Sequence, residues 1–514
     1  MNGAESLIRT AVDAGLELCF ANPGTTEMPL VAALDAVPGI RAVLGLFEGV
    51  CTGAADGYAR MAQRPALTLL HLGPGFANGA AGLHNARRGR APVVNLVGDH
   101  ATWHRPADPP LASDIEQLAR TVSAWVRTSR AAADLAEDMA EAIVSAGRLP
   151  GRIATLIAPD DCQRGEAPGP AAPLRLEPPE RVPEDAIAAA ARALRSGKPV
   201  ALLLGGSALL ERGLRAAARV SAATGCRLLC DTFVSRLERG AGLPVLERIP
   251  YFPDQALAKL SGAAFLILAG TTEPVAFFGY PGQPSRLVPA GCTPHVLASP
   301  EADAAAALEE LAAHLGAGTS EHAAGAAPRP SKPQGALTPR TLGEAIAAVQ
   351  PEGAIVIDDA ATSGPPYFLA STGCPRSTYL QITGGAIGFG SPAGVGAALA
   401  CPDRKVVVLE ADGGGMYTFQ ALWTEAREAL DVTTIIASNR SYRILQIELE
   451  RAGIAEPGPT ASALTDLSHP PIDWVSLARG LGVPGRRVER AEELAAALER
   501  SLSEAGPHLI EAVL

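Results

Sequence analysis

Cysteine is scarce, with eight in 514 residues. That is too few for a disulfide framework in a chain this long. Cys226 and Cys230 stand close together, but no further Cys or His pair follows at zinc-finger spacing. The cysteines are therefore expected to be reduced, buried thiols. No apolar run reaches about 18 uncharged residues, so no membrane span is expected. A dense Lys/Arg run is also missing. The formal net charge of −11 argues against nucleic acid as a partner. The N-terminal MNGAESLIRTAVDAG is patterned as a helix and not as a signal peptide. Leu7, Ile8, Ala11 and Val12 share one face, and Gly15 is a natural stop. A cytoplasmic protein is expected.

What is present is a globular composition, 47% hydrophobic and 19% charged. At roughly 150 residues per domain the length suggests three domains. Short apolar runs alternate with helical patterns. Strands are expected at 16–22, 41–47, 66–72 and 92–99. Helices follow from the PGTTE turn to near Pro38, from Glu48 to about Ala62, and from a Gly-Pro-Gly turn at 73–75 through Arg88. Strand, turn, helix, strand is the signature of a parallel sheet covered by helices. A Pro-rich linker near 170–183 ends this unit. A second unit carries a helix at 184–195 and strands at 199–206, 227–231 and 263–270. The Gly/Ala/Ser/Pro-rich stretch 317–336 reads as a flexible crossing. A third unit, 337–514, repeats the alternation.

The segment KVVVLEADGGGMYTFQALWTEAREALDVTTIIASNRSYR, 405–443, carries the most chemistry. Asp412 ends one strand and Asn439, 27 residues on, ends the next. One crossover puts both at the same sheet edge, where open α/β sheets bind ligands. A carboxylate, an amide oxygen and nearby carbonyls suit Mg²⁺, which shares its shell with phosphates. Gly413, Gly414 and Gly415 let backbone N–H groups approach an anion. The alternative is a helix-capping Asp with Asn439 in a turn.

This segment resembles the GDG…N motif of thiamine-diphosphate (ThDP) dependent enzymes. The resemblance implies Asp412, Asn439 and the backbone carbonyl of Ser441 as Mg²⁺ ligands. Ala411 stands where the family has its first glycine, a departure of one methyl. VLGLFEGVCTGAADGYAR, 43–60, is similar to the region of the family's activating glutamate, so Glu48 is implied as the carboxyl that meets N1′ of the aminopyrimidine. Its alternative is a helix N-terminal carboxylate facing the dipole. HLGPGFANGAAGLHNARRGR resembles the segment where Asn78 lies near the cofactor. TGGAIGFGSPAGVGAAL, 383–399, resembles the aminopyrimidine clamp. There the Gly385 carbonyl would accept from N4′, and Ile387 would be the apolar wedge that bends the cofactor. Thr362 and Ser363 fall where relatives contact the diphosphate.

The implied fold is a three-domain α/β architecture, each domain a mainly parallel sheet flanked by helices. The domains would be pyrimidine-binding (1–172), middle (180–316) and diphosphate-binding (337–514). The implied cofactors are ThDP and Mg²⁺. The middle domain lacks the Arg-containing flavin motif of acetolactate synthases at LAGTTEPVAFFGYPGQP, 268–284, so no FAD is expected. The implied partners are a 2-oxo acid or aldehyde and further copies of this chain. A homodimer or homotetramer would share its active sites between subunits.

His71 matches the position of a catalytic His in benzoylformate decarboxylase; a half-buried structural His is its alternative. Thr25 and Thr26 lie where that enzyme has a substrate-facing Ser. His100 and His104 follow the next strand as proton shuttles or plain loop residues. Asp99 replaces the Gln typical of acetolactate synthases. The expected activity is that of an acetolactate-synthase-like carboligase working on a 2-oxo acid through an enamine. The alternatives are a 2-oxo acid decarboxylase, an aldehyde ligase or lyase, and a catalytically silent partner subunit.

Overall fold

The computed structural model describes residues 1–318 and 328–514. Residues 319–327 of the expected crossing lie outside the described residues. Contacts divide the chain into two compact units. Unit 1 is Met1–Leu176, Pro330–Ala370 and Ile382–Leu514; unit 2 is Glu177–Arg329 and Ser371–Gln381.

The first sheet of unit 1 uses β1 (Leu18–Asn22), β2 (Arg41–Leu44), β3 (Ala66–His71), β4 (Val93–Asp99), β5 (Trp125–Thr128) and β6 (Ile153–Pro159). Their order is β2-β1-β3-β4-β6-β5, parallel throughout. Every residue of β4 and β6 is buried. A parallel sheet covered on both faces requires such continuous apolar strands. The covering helices include α1 (Gly3–Asp13), α2 (Met28–Ala36), α3 (Glu48–Ala62) and α4 (Leu72–Gly89). Asn2 caps α1 by accepting from the Glu5 N–H at 2.8 Å, and Leu7, Ile8 and Ala11 are fully buried in the core below.

One local expectation fails. The Gly73-Pro74-Gly75 run is not a turn but the opening of α4, which starts directly at Leu72. Pro74 is tolerated there because first-turn N–H groups have no intrahelical partner to lose.

Unit 2 holds β7 (Val200–Leu204), β8 (Arg227–Cys230), β9 (Leu237–Arg239), β10 (Glu247–Arg248), β11 (Phe265–Ala269) and β12 (Thr293–Ala298). Five of these form a parallel sheet in the order β10-β8-β7-β11-β12. The second parallel sheet of unit 1 begins with β13 (Ala354–Asp359). Next in the chain, β14 (Ser377–Gln381) belongs to unit 2, where it pairs antiparallel with β9. The sheet of unit 1 resumes with β15 (Val406–Ala411), β16 (Val432–Ser438), β17 (Gly485–Val488) and β18 (His508–Val513), ordered β17-β18-β16-β15-β13. The fold class is thus the expected one, mainly parallel sheets flanked by helices. Among the described residues no helix is long and apolar enough to cross a membrane.

Candidate active site

Parallel strands deliver their carboxyl ends to one edge, so the residues after β1, β2, β3 and β4 gather there. Glu48 is the first residue of α3 and is buried. Its Oε2 accepts from Asn78 Nδ2 at 2.9 Å, and Asn78 stands on α4. Gly75 separates Glu48 from His71. A Cβ on Gly75 would lie 2.9 Å from Glu48 Oε1 and 3.4 Å from the His71 Cβ. The missing side chain leaves room between the Glu48 carboxylate and the base of the His71 side chain.

His71 ends β3. Its Nδ1 lies 2.7 Å from Oε2 of Glu27, a fully buried carboxyl that also accepts the Gly24 N–H at 2.7 Å. Donation from Nδ1–H to Glu27 leaves Nε2 as the ring atom that can take or give a proton. The sequence reading passed over Glu27. The available signal was a Glu three residues beyond the turn glycine, the spacing of a capping box. Thr26 donates to Glu27 Oε1 at 2.7 Å and approaches His71 Nδ1 at 3.4 Å, whereas Thr25 is exposed.

Beyond β4 the chain forms a cavity of about 410 Å³ lined by Asp99, His100, Arg105 and Ser113 among others. His71 is the β-register partner of Gly98, so Asp99 is the next residue along that edge. Burial pushes the Asp99 carboxyl up, against the opposing pull of Arg105, whose Nε is 3.3 Å away. His100 faces the cavity. His104 is exposed and packs on the exposed Trp103 ring, with centroids 5.6 Å apart.

A second group gathers at the carboxyl ends of β15 and β16, neighbours in register from Val406↔Val432 to Ala411↔Ala437. Asp412 is buried and accepts the N–H groups of Gly413 at 2.9 Å and Arg440 at 2.6 Å. Burial pushes its carboxyl up to about 6, with those two N–H groups pulling the other way. Among the described residues no cationic side chain forms an ion pair with it. Asn439 Oδ1 accepts the Ser441 N–H at 3.0 Å. The motif's ends therefore meet as expected. The three glycines form a short helical turn, Asp412–Gly415, with the Tyr442 ring against Gly413 and Ile387 close to Gly414. A buried, unpaired carboxylate beside an amide oxygen and a helical turn of glycines fits a divalent cation with a bound diphosphate.

Thr362 and Ser363 follow β13, which lies beside β15. Ser363 is buried and Thr362 half-buried. Asp359, at the end of β13, accepts the N–H groups of Gly388 and Phe389 at 2.9 and 2.7 Å. That fixes one end of the segment carrying Gly385 and Ile387. Burial pushes Asp359 up to about 7 and raises its neighbour Glu410 well above the carboxylate range. Ile387 is half-buried, and Gly385 is exposed with φ +76°.

Residues 1–119 match the family described as "Thiamine pyrophosphate enzyme, N-terminal TPP binding domain", and residues 366–512 match its C-terminal TPP binding domain. The chain is 53% identical to "Putative acetolactate synthase large subunit IlvX" of Mycobacterium tuberculosis, over 100% of this chain and 99% of that protein. It belongs to the thiamine pyrophosphate enzymes. Another relative in this family is the benzoylformate decarboxylase of Pseudomonas aeruginosa, 30% identical over 97% of this chain and 96% of its own. The fold matches that of the thiamine diphosphate-dependent 4-hydroxybenzoylformate decarboxylase of Rhodococcus jostii RHA1. The TM-score is 0.88 at 24% identity, covering 100% of this chain and 99% of the other. The protein is a ThDP-dependent enzyme of the acetolactate synthase and decarboxylase type.

Proposed function

We propose that this chain is a ThDP- and Mg²⁺-dependent carboligase of the acetolactate synthase type, acting on a 2-oxo acid. The observation that carries this is the buried Glu48 carboxyl, held by Asn78 at 2.9 Å at the sheet edge where β3 ends in His71. The relative named as an acetolactate synthase large subunit, at 53% identity over the whole chain, supports the same activity.

Bound ThDP supplies a carbon that adds to the substrate carbonyl and accepts the electron pair left by CO₂. The protein's part is positional and protonic. Asn78 fixes Oε2 of Glu48, leaving Oε1 to hold the proton contact at N1′ of the aminopyrimidine. The Gly385 carbonyl would receive the 4′-amino group, and Ile387 would be the apolar wedge beneath the cofactor. Asp412, Asn439 and the Ser441 carbonyl would hold Mg²⁺. Gly413, Gly414, Thr362 and Ser363 would hold the diphosphate, with Ala411 at the edge of that loop. His71 Nε2 holds or moves a proton at the substrate oxygen, with Thr26 and His100 on the substrate side. The protein works in the cytoplasm as a homodimer or homotetramer, each site built from Glu48 of one subunit and the metal loop of another.

A second reading is favoured by one observation, the buried Glu27 behind His71. An imidazole so held is suited to protonate the reacting carbon, which releases an aldehyde as a benzoylformate decarboxylase does. A proton NMR time course with ThDP, Mg²⁺ and pyruvate separates the two. Acetolactate is the expected product. Acetaldehyde alone supports the decarboxylase reading. Turnover confined to aromatic 2-oxo acids does so too. No turnover of any oxo acid or aldehyde contradicts both and leaves a silent partner subunit.

A further inference from the structure

Three consecutive main-chain carbonyls, Gly384, Gly385 and Ala386, lie in the partly buried loop before the helix Gly390–Ala400. Two of them are held by neighbouring residues of α4. His84 Nε2–H donates to the Gly384 oxygen at 3.1 Å. Asn85 Nδ2 donates to the Ala386 oxygen at 2.7 Å. Asn85 Oδ1 also accepts the Ala386 N–H at 3.2 Å, so one amide side chain grips both sides of one residue. Asn85 is buried, and its own carbonyl is fixed by the Thr383 hydroxyl at 2.8 Å. The remaining carbonyl, that of Gly385, receives no hydrogen bond among the described residues.

Peptide planarity turns this into a directional constraint. The Gly385 carbonyl and the Ala386 N–H belong to the same trans peptide unit and point in opposite directions. Holding the N–H on Asn85 Oδ1 therefore aims the Gly385 oxygen away from α4. The constraint is needed because Gly385 is otherwise free. Its φ is +76°, and no atom lies within 4 Å of where a Cβ would be. A glycine in open space has no intrinsic preference for one carbonyl direction.

We infer that Asn85 is a positioning residue that aims the Gly385 carbonyl at the 4′-amino group of the cofactor, with His84 steadying the preceding peptide. This rests on the proposed role of Gly385. Proton transfer through the aminopyrimidine needs the 4′-amino group held in one place. A preorganised acceptor costs no rearrangement at that moment. Asn85 thus affects activation of bound cofactor as well as its affinity.

The test compares Asn85→Ala and Asn85→Asp with the full-length wild type. The Asp variant keeps an oxygen that can accept the Ala386 N–H. In cofactor-free protein, amide hydrogen exchange at Ala386 is expected to speed by about tenfold in Asn85→Ala, the loss of roughly one hydrogen bond. At saturating ThDP and Mg²⁺, C2 proton exchange is expected to slow by about tenfold or more in Asn85→Ala, and by less in Asn85→Asp, which keeps the acceptor for the Ala386 N–H but loses the donor to the Ala386 oxygen. Unchanged C2 exchange in Asn85→Ala overturns the inference, as does unchanged amide exchange at Ala386 in that variant. Glu48→Gln serves as the control. If it slows C2 exchange while Asn85→Ala does not, only the positioning role fails. If Glu48→Gln also leaves exchange unchanged, the proposed activation chemistry beneath the inference fails with it.

Discussion

Glu27 Oε2 lies 2.7 Å from His71 Nδ1, and nothing else about His71 says as much about its use. The carboxyl is fully buried and bonded to the Gly24 N–H, so it cannot swing away. The imidazole is held in one orientation by its Nδ1, which leaves Nε2 outside that contact. An oriented ring in a fixed tautomer is what general acid–base catalysis requires. Glu27→Gln keeps the shape but also offers an amide donor to Nδ1. Turnover is expected to fall by about tenfold or more, with ThDP affinity unchanged. Steady-state kinetics alongside a cofactor titration checks this.

Gly75 makes a second prediction. Gly75→Ala would place a methyl 2.9 Å from Glu48 Oε1 and 3.4 Å from the His71 Cβ. One group must shift. A displacement of about 1 Å at a reaction centre costs up to roughly a hundredfold in rate. The expected result is a kcat lowered by about ten- to a hundredfold while the thermal midpoint moves by only a few degrees. Activity equal to wild type would mean that the placement of Glu48 Oε1 does not limit the reaction.

How much of this was legible in the sequence depended on distance along the chain. The α3 boundaries, Glu48 to Ala62, follow from local pattern and emerge as expected. Asp412 and Asn439 meet because one strand–helix–strand unit fixes their relation. Glu27 was missed because its partner is 44 residues away at the end of β3, and no local pattern encodes that pairing. Asn85 was missed for the same reason, since its partner Ala386 lies 301 residues on. The Gly-Pro-Gly run was misjudged because turn chemistry and a helix's first turn use the same residues. In unit 2, β12 escaped notice because its first four positions are exposed or half-buried. An edge strand of that kind lacks the apolar run that marks a central one.

The metal motif makes a third prediction. Asp412→Ala removes the buried carboxylate that no cationic side chain pairs with. Mg²⁺-dependent retention of ThDP is expected to weaken by about tenfold or more, at least what outer-shell substitutions at metal sites typically cost. Equilibrium dialysis of ThDP at graded Mg²⁺ reads this directly. Unaltered affinity would rule Asp412 out as a ligand.

A stability prediction comes from Glu425, on the helix Ala421–Arg427. It is fully buried with both oxygens unbonded, and burial raises its carboxyl well above the ordinary glutamate value of 4.5. A carboxyl raised in the folded state holds its proton there and loses it more readily when unfolded. The folded state binds more protons, so stability falls as the pH climbs above about 4.5 toward the folded value. Glu425→Gln removes that dependence. The variant is expected to melt higher than wild type at pH 8, by about 2 °C or more, and to differ little at pH 4.5. Melting curves across that range check the sign.

The account turns on Glu48. The most direct test is the rate of C2 proton exchange of ThDP bound to wild type and to Glu48→Gln, followed by proton NMR after acid quench in deuterium oxide. The account predicts that the variant binds ThDP normally and exchanges at least about a hundredfold more slowly. Exchange at the wild-type rate in Glu48→Gln would contradict it.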